Sequence, residues 1–271
     1  MQGPQGCGKT TLTDELQRYL SSSETKIRSA VLSLDDLYLT NRGLSDLSMR
    51  HPENRLLSGR GLPGTHDLHL ARAILEAVLD NREDAGPVHL PIFDKSAFGG
   101  RGDRSSSTVP IDTPIDVFIL EGWSMGFQPL GQAEISRRYN QALRTTKQPG
   151  ASKPVFLSHS LESLIQVDEY LKTASAVLYP AFTVLIRIRP RSYSYVYRWR
   201  REQEHQMITV RGAGMTDEEV DGFVARYMPG YELWAERTNI NEGGEVEIGW
   251  EGNVLTLLYG KDREVISVEE S

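Results

Sequence analysis

The chain has 271 residues, enough to bury a substantial core, and is expected to form a single α/β domain with insertions. Its net charge of −7 argues against general nucleic-acid binding, which needs a basic face, and no apolar run reaches membrane-spanning length. One cysteine excludes an internal disulfide framework, and no signal or transit segment opens the chain as given, so the expected location is the cytoplasm, with the nucleus also compatible.

The first element is a complete phosphate-loop motif, Gly3-Pro4-Gln5-Gly6-Cys7-Gly8-Lys9-Thr10, followed by Thr11. Glycines at these spacings let several backbone N–H groups converge on one anion. Gly3 to Thr11 are therefore the candidate nucleotide-binding residues: Lys9 reaches the β- and γ-phosphates, and Thr10 offers a hydroxyl to Mg²⁺. Residues 9–20 should form the helix that follows, with Leu12, Leu16, Tyr19 and Leu20 on one face. Only Met1 and Gln2 precede the motif, where an apolar strand usually stands. The expectation from this is that the chain as given expresses poorly or binds ATP weakly until an upstream strand is restored. Cys7, beside Lys9 and a helix N-terminus, has a setting that should lower a thiol pKa; the preferred reading is still a small residue at a free position of the motif, and the competing one is a thiol whose oxidation or alkylation blocks nucleotide binding.

Residues 29–34 read as a short buried strand ending at Asp35-Asp36, and 41–66 as loop. Residues 67–80 read as a helix capped by Asp67, 88–93 as a strand, and 94–114 as a polar, mobile loop. The best strand is Ile115 to Leu120, closed by Glu121. Residues 131–158 suggest a surface insertion, 160–173 a helix, and 182–188 a strand stopped by Pro190. Residues 193–207 carry Tyr, Trp and three arginines at helical spacing; a capping box at Thr216–Glu219 starts another helix, to about Tyr227. Residues 254–259 and 264–268 should form a hairpin turning at Gly260-Lys261-Asp262. Alternating strands and helices imply a doubly wound, mainly parallel sheet with helices on both faces, the phosphate loop, Asp35-Asp36 and Glu121 sharing its C-terminal edge.

Within that crevice, Glu121 suits a metal or its bound water. Asp35 or Asp36 suits the group that accepts or aligns an attacking hydroxyl, the other serving as a cap; Asp35 is preferred. Lys95, Arg101 and Arg104, with Arg198, Arg200 and Arg201, form a basic set able to stabilise charge in phosphoryl transfer. Helical spacing puts Arg198 and Arg201 on one face; the competing role for this helix is a solvated face with Glu202 and Glu204 as partners. His66 is a candidate substrate contact. Trp123, Trp199 and Trp234 are expected to be packing residues, and no zinc spacing is present.

The strings GPQGCGKTTL, SLDDLYLT, GRGLPGTHD, LPIFDKSAFGGRGDR, FILEGWSMGF, VYRWRREQEHQMI and GMTDEEVDGFVARYMPGYELW occur in this order. On them the chain resembles the D-glycerate 3-kinase family with its fungal ATP-dependent kinase members, and more distantly uridine kinase and phosphoribulokinase. The resemblance implies ATP- and Mg²⁺-dependent phosphorylation of a hydroxyl on a small organic acid, glycerate to 3-phosphoglycerate being the leading case. It implies Asp35 as the group that activates the acceptor, WRREQE as part of a lid of about 193–215, with Arg198 and Arg201 closing over the transferred phosphoryl, and Lys95, Arg101 and Arg104 as cations for the acceptor carboxylate, beside Asp36 and His66. A nucleoside acceptor, or a non-catalytic nucleotide-binding protein, are the competing readings; oligomeric state is not legible.

Overall fold

The structure is a computed structural model describing residues 1–22, 24–80, 82, 86–212, 214–235 and 248–271. Position 213 of the expected lid lies outside the described residues. In chain order the elements are α1 (Lys9–Leu20), β1 (Ser29–Ser33), α2 (Asn41–Arg50), α3 (Leu68–Asp80), β2 (Val88–Asp94), the short turn α4 (Ala97–Gly100), β3 (Asp103–Ile111) and β4 (Val117–Glu121). They continue with α5 (Gln132–Thr145), α6 (Leu161–Leu178), β5 (Leu185–Pro190), α7 (Tyr195–Arg211), α8 (Asp217–Ala225), α9 (Met228–Leu233), β6 (Val254–Tyr259) and β7 (Val265–Glu270).

The central sheet is assembled around the first three residues. β1 pairs in parallel with β4, β5 with β6, and β7 returns antiparallel to β6. Met1–Gly3 run between β4 and β5: Gln2 bridges in parallel to both Gly122 and Arg187, Gln2 N donates to Ile186 O (2.8 Å) and Ile188 N to Gln2 O (2.8 Å). The phosphate loop thus leaves from the middle of the sheet, flanked by the ends of β4 and β5 with β1 beyond β4. β2 and β3 form a separate antiparallel pair beside this edge.

Apolar residues from opposite faces of the strands feed two cores. Ile188 of β5 joins Leu164, Val167, Leu171, Trp123, Trp199 and Trp234, whereas Leu185 joins Leu32, Leu120, Ile74, Leu178 and Trp250. Trp123, Trp199 and Trp234 are buried packing residues, as expected.

Three stretches differ from the sequence reading. The 41–66 region contains α2, started by Thr40, whose hydroxyl accepts from Gly43 N (3.2 Å), and anchored by buried Leu44 and Leu47. Three apolar residues in ten, one of them the exposed Met49, give too weak a periodicity to stand out. The supposed mobile loop 94–114 contains β3, a strand exposed along most of its length and held by its ladder to β2 rather than by burial. The supposed surface insertion contains α5, which inserts fully buried Ile135 into the larger core. Its N-terminus is fixed by Asp168, which accepts from Leu130 N and Gly131 N (2.7 and 2.8 Å). Among the described residues, no helix is long and apolar enough to cross a membrane.

Candidate active site

The phosphate loop is shaped by two glycines. Gly8 stands at the N-cap of α1 with φ of 93°, a left-handed conformation that other residues rarely adopt. Gly6 (φ 73°) has Trp199 so close that a Cβ would come within 2.8 Å of that residue's backbone. Gln5 is held on the opposite side: its N–H donates to Tyr231 Oη (3.3 Å), and the Tyr231 hydroxyl donates to Gln5 Oε1 (2.9 Å). Lys9 Nζ lies across its own loop, 3.4 Å from Pro4 O, while Thr10 and Thr11 are exposed at the start of α1. Cys7 corrects the sequence expectation: it is 2% exposed, and burial raises its thiol pKa despite the charge of Lys9. An occluded thiol of this kind is a poor target for alkylation.

On the other side of the crevice, Asp35 sits in a 3₁₀ turn, Leu34–Leu37, whose first N–H groups are capped by Ser33 (Asp35 N to Ser33 Oγ, 3.3 Å). Neither aspartate caps a helix, contrary to that part of the expectation. Asp35 accepts from Tyr38 Oη (2.9 Å) and Lys95 Nζ (2.5 Å). Burial would raise its pKa, but the Lys95 charge and these hydrogen bonds outweigh that and hold the carboxyl below the usual aspartate value. Asp36 instead accepts from Phe93 N (2.9 Å) and so pins β2 to the end of β1. Burial, with the Asp35 and Glu121 charges, pushes Asp36 upward against that bond and Lys95.

Tyr38 is 2% exposed, stacked on His66 (centroids 4.6 Å apart) and edge-on to Phe93 (5.3 Å). His66 is buried, and its Nε2 has no hydrogen-bond partner. Burial drives its pKa down to about 4 against the attraction of Asp35, so the ring is neutral at pH 7. The segment carrying His66 is laced to Tyr38 by Leu39 N to Thr65 O (2.9 Å) and Asp67 N to Leu37 O (2.7 Å). Asp67 caps α3 as expected, accepting from Leu70 N (3.0 Å), and also holds Arg104 (2.9 Å), which donates further to Tyr38 O (3.0 Å).

The basic set is thus largely committed. Lys95 is taken by Asp35 and Arg104 by Asp67, while Arg101 is exposed with a long bond to Phe98 O (3.4 Å). Sequence reasoning missed Arg60, whose Nη1 donates to Gly100 O (2.8 Å) and Arg101 O (2.5 Å) and whose guanidinium lies 5.7 Å from the Phe93 ring centroid. No carboxylate among the described residues pairs with it, and its charge acts on both Tyr38 and Tyr227. The signal was present in GRGLPGTHD, but nothing local shows that this loop meets Phe93.

On the lid side, Arg198 pairs with Glu202 and with Asp262 in the β6–β7 turn (2.7 Å each). Arg201 pairs with Asp221 of α8, and Arg200 with buried Glu204 (2.8 Å) while covering the Phe223 ring. α7 is an uninterrupted helix, but Arg198 and Arg201 take partners on different neighbours, the β6–β7 turn and α8. Glu202 and Glu204 do serve as ion-pair partners.

Glu121 is buried at the end of β4, opposite Ser33 in the ladder. Thr10 and Glu121 are hard oxygen donors of the kind Mg²⁺ selects. Among the described residues no group of three His, Cys, Asp or Glu is arranged to hold a metal by itself, so a metal here would draw ligands from the nucleotide as well.

No protein-family model matches the chain. It is 37% identical over 263 residues to a probable ATP-dependent kinase of Saccharomyces cerevisiae, covering 96% of this chain and 82% of that protein. It is 39% identical over 234 residues to the chloroplastic D-glycerate 3-kinase of Arabidopsis thaliana, covering 85% of this chain but 46% of that protein. The solved structure of D-glycerate 3-kinase from Cryptococcus neoformans superposes with a TM-score of 0.87 at 38% identity, covering 100% of this chain and 88% of that one. With a phosphate loop at the centre of the sheet and this degree of likeness along its whole length, the chain is an ATP-dependent phosphotransferase with an alcohol acceptor, and it belongs to the D-glycerate 3-kinase family that includes the fungal ATP-dependent kinases.

Proposed function

We propose that this kinase transfers the γ-phosphoryl group of Mg·ATP to a hydroxyl of a small organic acid, with D-glycerate as acceptor and 3-phosphoglycerate as product. The observation that carries the reading is the Lys95–Asp35–Tyr38 cluster, one carboxylate gripped by two donors at the strand edge shared with the phosphate loop. Relatives whose names state glycerate phosphorylation support the choice of acceptor.

In this proposal Gly3, Pro4, Gln5, Gly6, Cys7, Gly8, Lys9, Thr10 and Thr11 enclose the phosphates, with Lys9 leaving Pro4 O for the β- and γ-oxygens. Thr10 and Glu121 hold Mg²⁺, which supplies charge neutralisation when bound. Asp35, kept ionised by its neighbours, aligns the acceptor hydroxyl and takes its proton as the bond to phosphorus forms. Asp36 acts indirectly by fixing β2. His66, neutral and unpartnered at Nε2, offers a hydrogen bond to the acceptor. The acceptor carboxylate meets the cationic rim of Lys95, Arg101 and Arg104, to which this proposal adds Arg60, held beside Arg101 by its bond to Arg101 O. The lid is α7 with its following turn, one part of a single catalytic domain, and Arg198 and Arg201 reach the transferred phosphoryl only by exchanging their present carboxylate partners. A cytoplasmic location belongs to the same proposal.

The test is ADP release by the full chain with Mg·ATP against small hydroxy acids, neutral polyols and nucleosides. We expect release that depends on D-glycerate and stops when Mg²⁺ is chelated. Turnover confined to nucleosides would overturn the acceptor class.

A further inference from the structure

The β6–β7 turn touches the phosphate loop and the lid helix at once, and one side chain makes both contacts. Arg263 has φ of 66°, a left-handed conformation that L-residues rarely adopt. Its own N–H donates to Gly260 O (3.2 Å) to close the turn. From there the guanidinium fork divides among separate acceptors. Nε donates to Gly6 O in the phosphate loop (2.7 Å), Nη1 to Glu202 on α7 (2.7 Å), and Nη2 to Trp199 O (3.4 Å), with the Trp199 ring centroid 5.5 Å away. The turn is tied to α7 twice more, by Trp199 Nε1 to Lys261 O (2.8 Å) and Arg198 to Asp262 (2.7 Å).

We infer that Arg263 is a positioning residue for ATP: it fixes the Gly6–Cys7 peptide of the phosphate loop and ties that peptide to the lid helix. The peptide unit is planar, and it is held at both ends: Arg263 takes the Gly6 carbonyl and the Cys7 N–H donates to Pro4 O (3.3 Å), which fixes the plane from which the turn runs on to Gly8 and Lys9. The Arg263 bond is charge-assisted and the shorter of the two, so its loss leaves only the weaker restraint. The same cation bonds to α7, so a shift of the lid helix is felt at Gly6 through one rigid group. Only a guanidinium has distinct donors for all three acceptors; a lysine retains the charge but not the fork. Neither the phosphate-loop motif nor the lid segment includes position 263.

This inference rests on the reading of residues 3–11 as the phosphate site, and the experiment separates the two. Equilibrium binding of Mg·ATP to the full chain is measured for wild type, Arg263→Ala, Arg263→Lys and Lys9→Ala, with thermal melts of each. Arg263→Ala should weaken binding about tenfold or more, with kcat at saturating ATP changed about twofold or less. Arg263→Lys should fall between, since it can satisfy Gly6 or Glu202 but not both. Added ethylguanidinium should restore affinity to Arg263→Ala and leave wild type unchanged. Wild-type affinity in Arg263→Ala would overturn the inference. So would a loss of affinity that guanidinium does not restore, or, should the alanine variant not fold, a folded Arg263→Lys with wild-type affinity. If Lys9→Ala also binds as wild type, it is the phosphate-site reading that fails.

Discussion

The two walls of the crevice are built differently. The nucleotide wall is one continuous stretch, residues 3–11, whose chemistry is mostly backbone and whose shape comes from Gly6 and Gly8. The acceptor wall is a mosaic: Asp35 and Tyr38 from the turn after β1, Arg60 and His66 from the loop before α3, Phe93 and Lys95 from the end of β2, and Arg104 from β3. A backbone cradle binds what all ATP-using kinases share and tolerates change at its free positions. On the function proposed above, the mosaic of side chains would recognise one acceptor, and each piece depends on the others for its place.

Substitutions should therefore behave differently on the two walls. The largest effect is expected from Lys9→Ala, which removes a charge from the phosphates and should lower kcat/KM by roughly 10³-fold for every acceptor alike. A change in the ranking of acceptors in this variant would break the division between the walls. Asp35→Asn should reduce kcat by about 10²-fold or more while the KM for ATP moves little, as measured in steady-state assays with ATP varied. The substitution also frees Lys95, so Asp35→Asn combined with Lys95→Met should be far from additive. Arg60→Ala should weaken D-glycerate relative to a neutral analogue such as glyceramide by roughly tenfold, the worth of one charged hydrogen bond, with ATP parameters unchanged. An unaltered acid-to-amide ratio would remove Arg60 from the acceptor wall.

The smallest effect concerns stability and pH. His66 is held neutral, with its pKa pushed down to about 4 from an ordinary value near 6.5. The unfolded chain thus binds the proton more readily between those values, and stability falls as pH drops through that window. Replacing His66 with Phe, which keeps a ring on Tyr38, should flatten the loss by an amount on the order of 2 kcal/mol in denaturant titrations at pH 7 and pH 4.5. Asp35 acts in the same sense over a more acidic window: its carboxyl is held below the usual aspartate pKa, so its contribution is fully present at neutral pH and is lost as pH falls from that usual value through the folded one.

The β-strands that flank the phosphate loop, the helices α3, α6, α7 and α8, and the terminal hairpin were legible because each carries its own period, cap or turn residues; Asp67 and Thr216 mark helix starts in both sequence and structure. α2, α5 and β3 were not legible. Each relies on one or two buried anchors, or on a ladder to a distant strand, and so carries little local signal. Cys7 was misjudged for a related reason: its neighbours in sequence suggested a reactive thiolate, while its neighbours in space, which bury it, set the opposite direction.

By itself the amino-acid sequence determined the phosphate cradle and the acidic ends of β1 and β4, because backbone turns and strand ends are local properties of short stretches. Tertiary structure alone decided that Asp35 is the aspartate held by Lys95 and Tyr38, that Asp36 secures β2, that Arg60 is left without a described carboxylate, and that Arg263 reaches Gly6. Those facts depend on which distant segments pack together, and packing follows from burying the whole set of apolar faces at once rather than from any one stretch of chain.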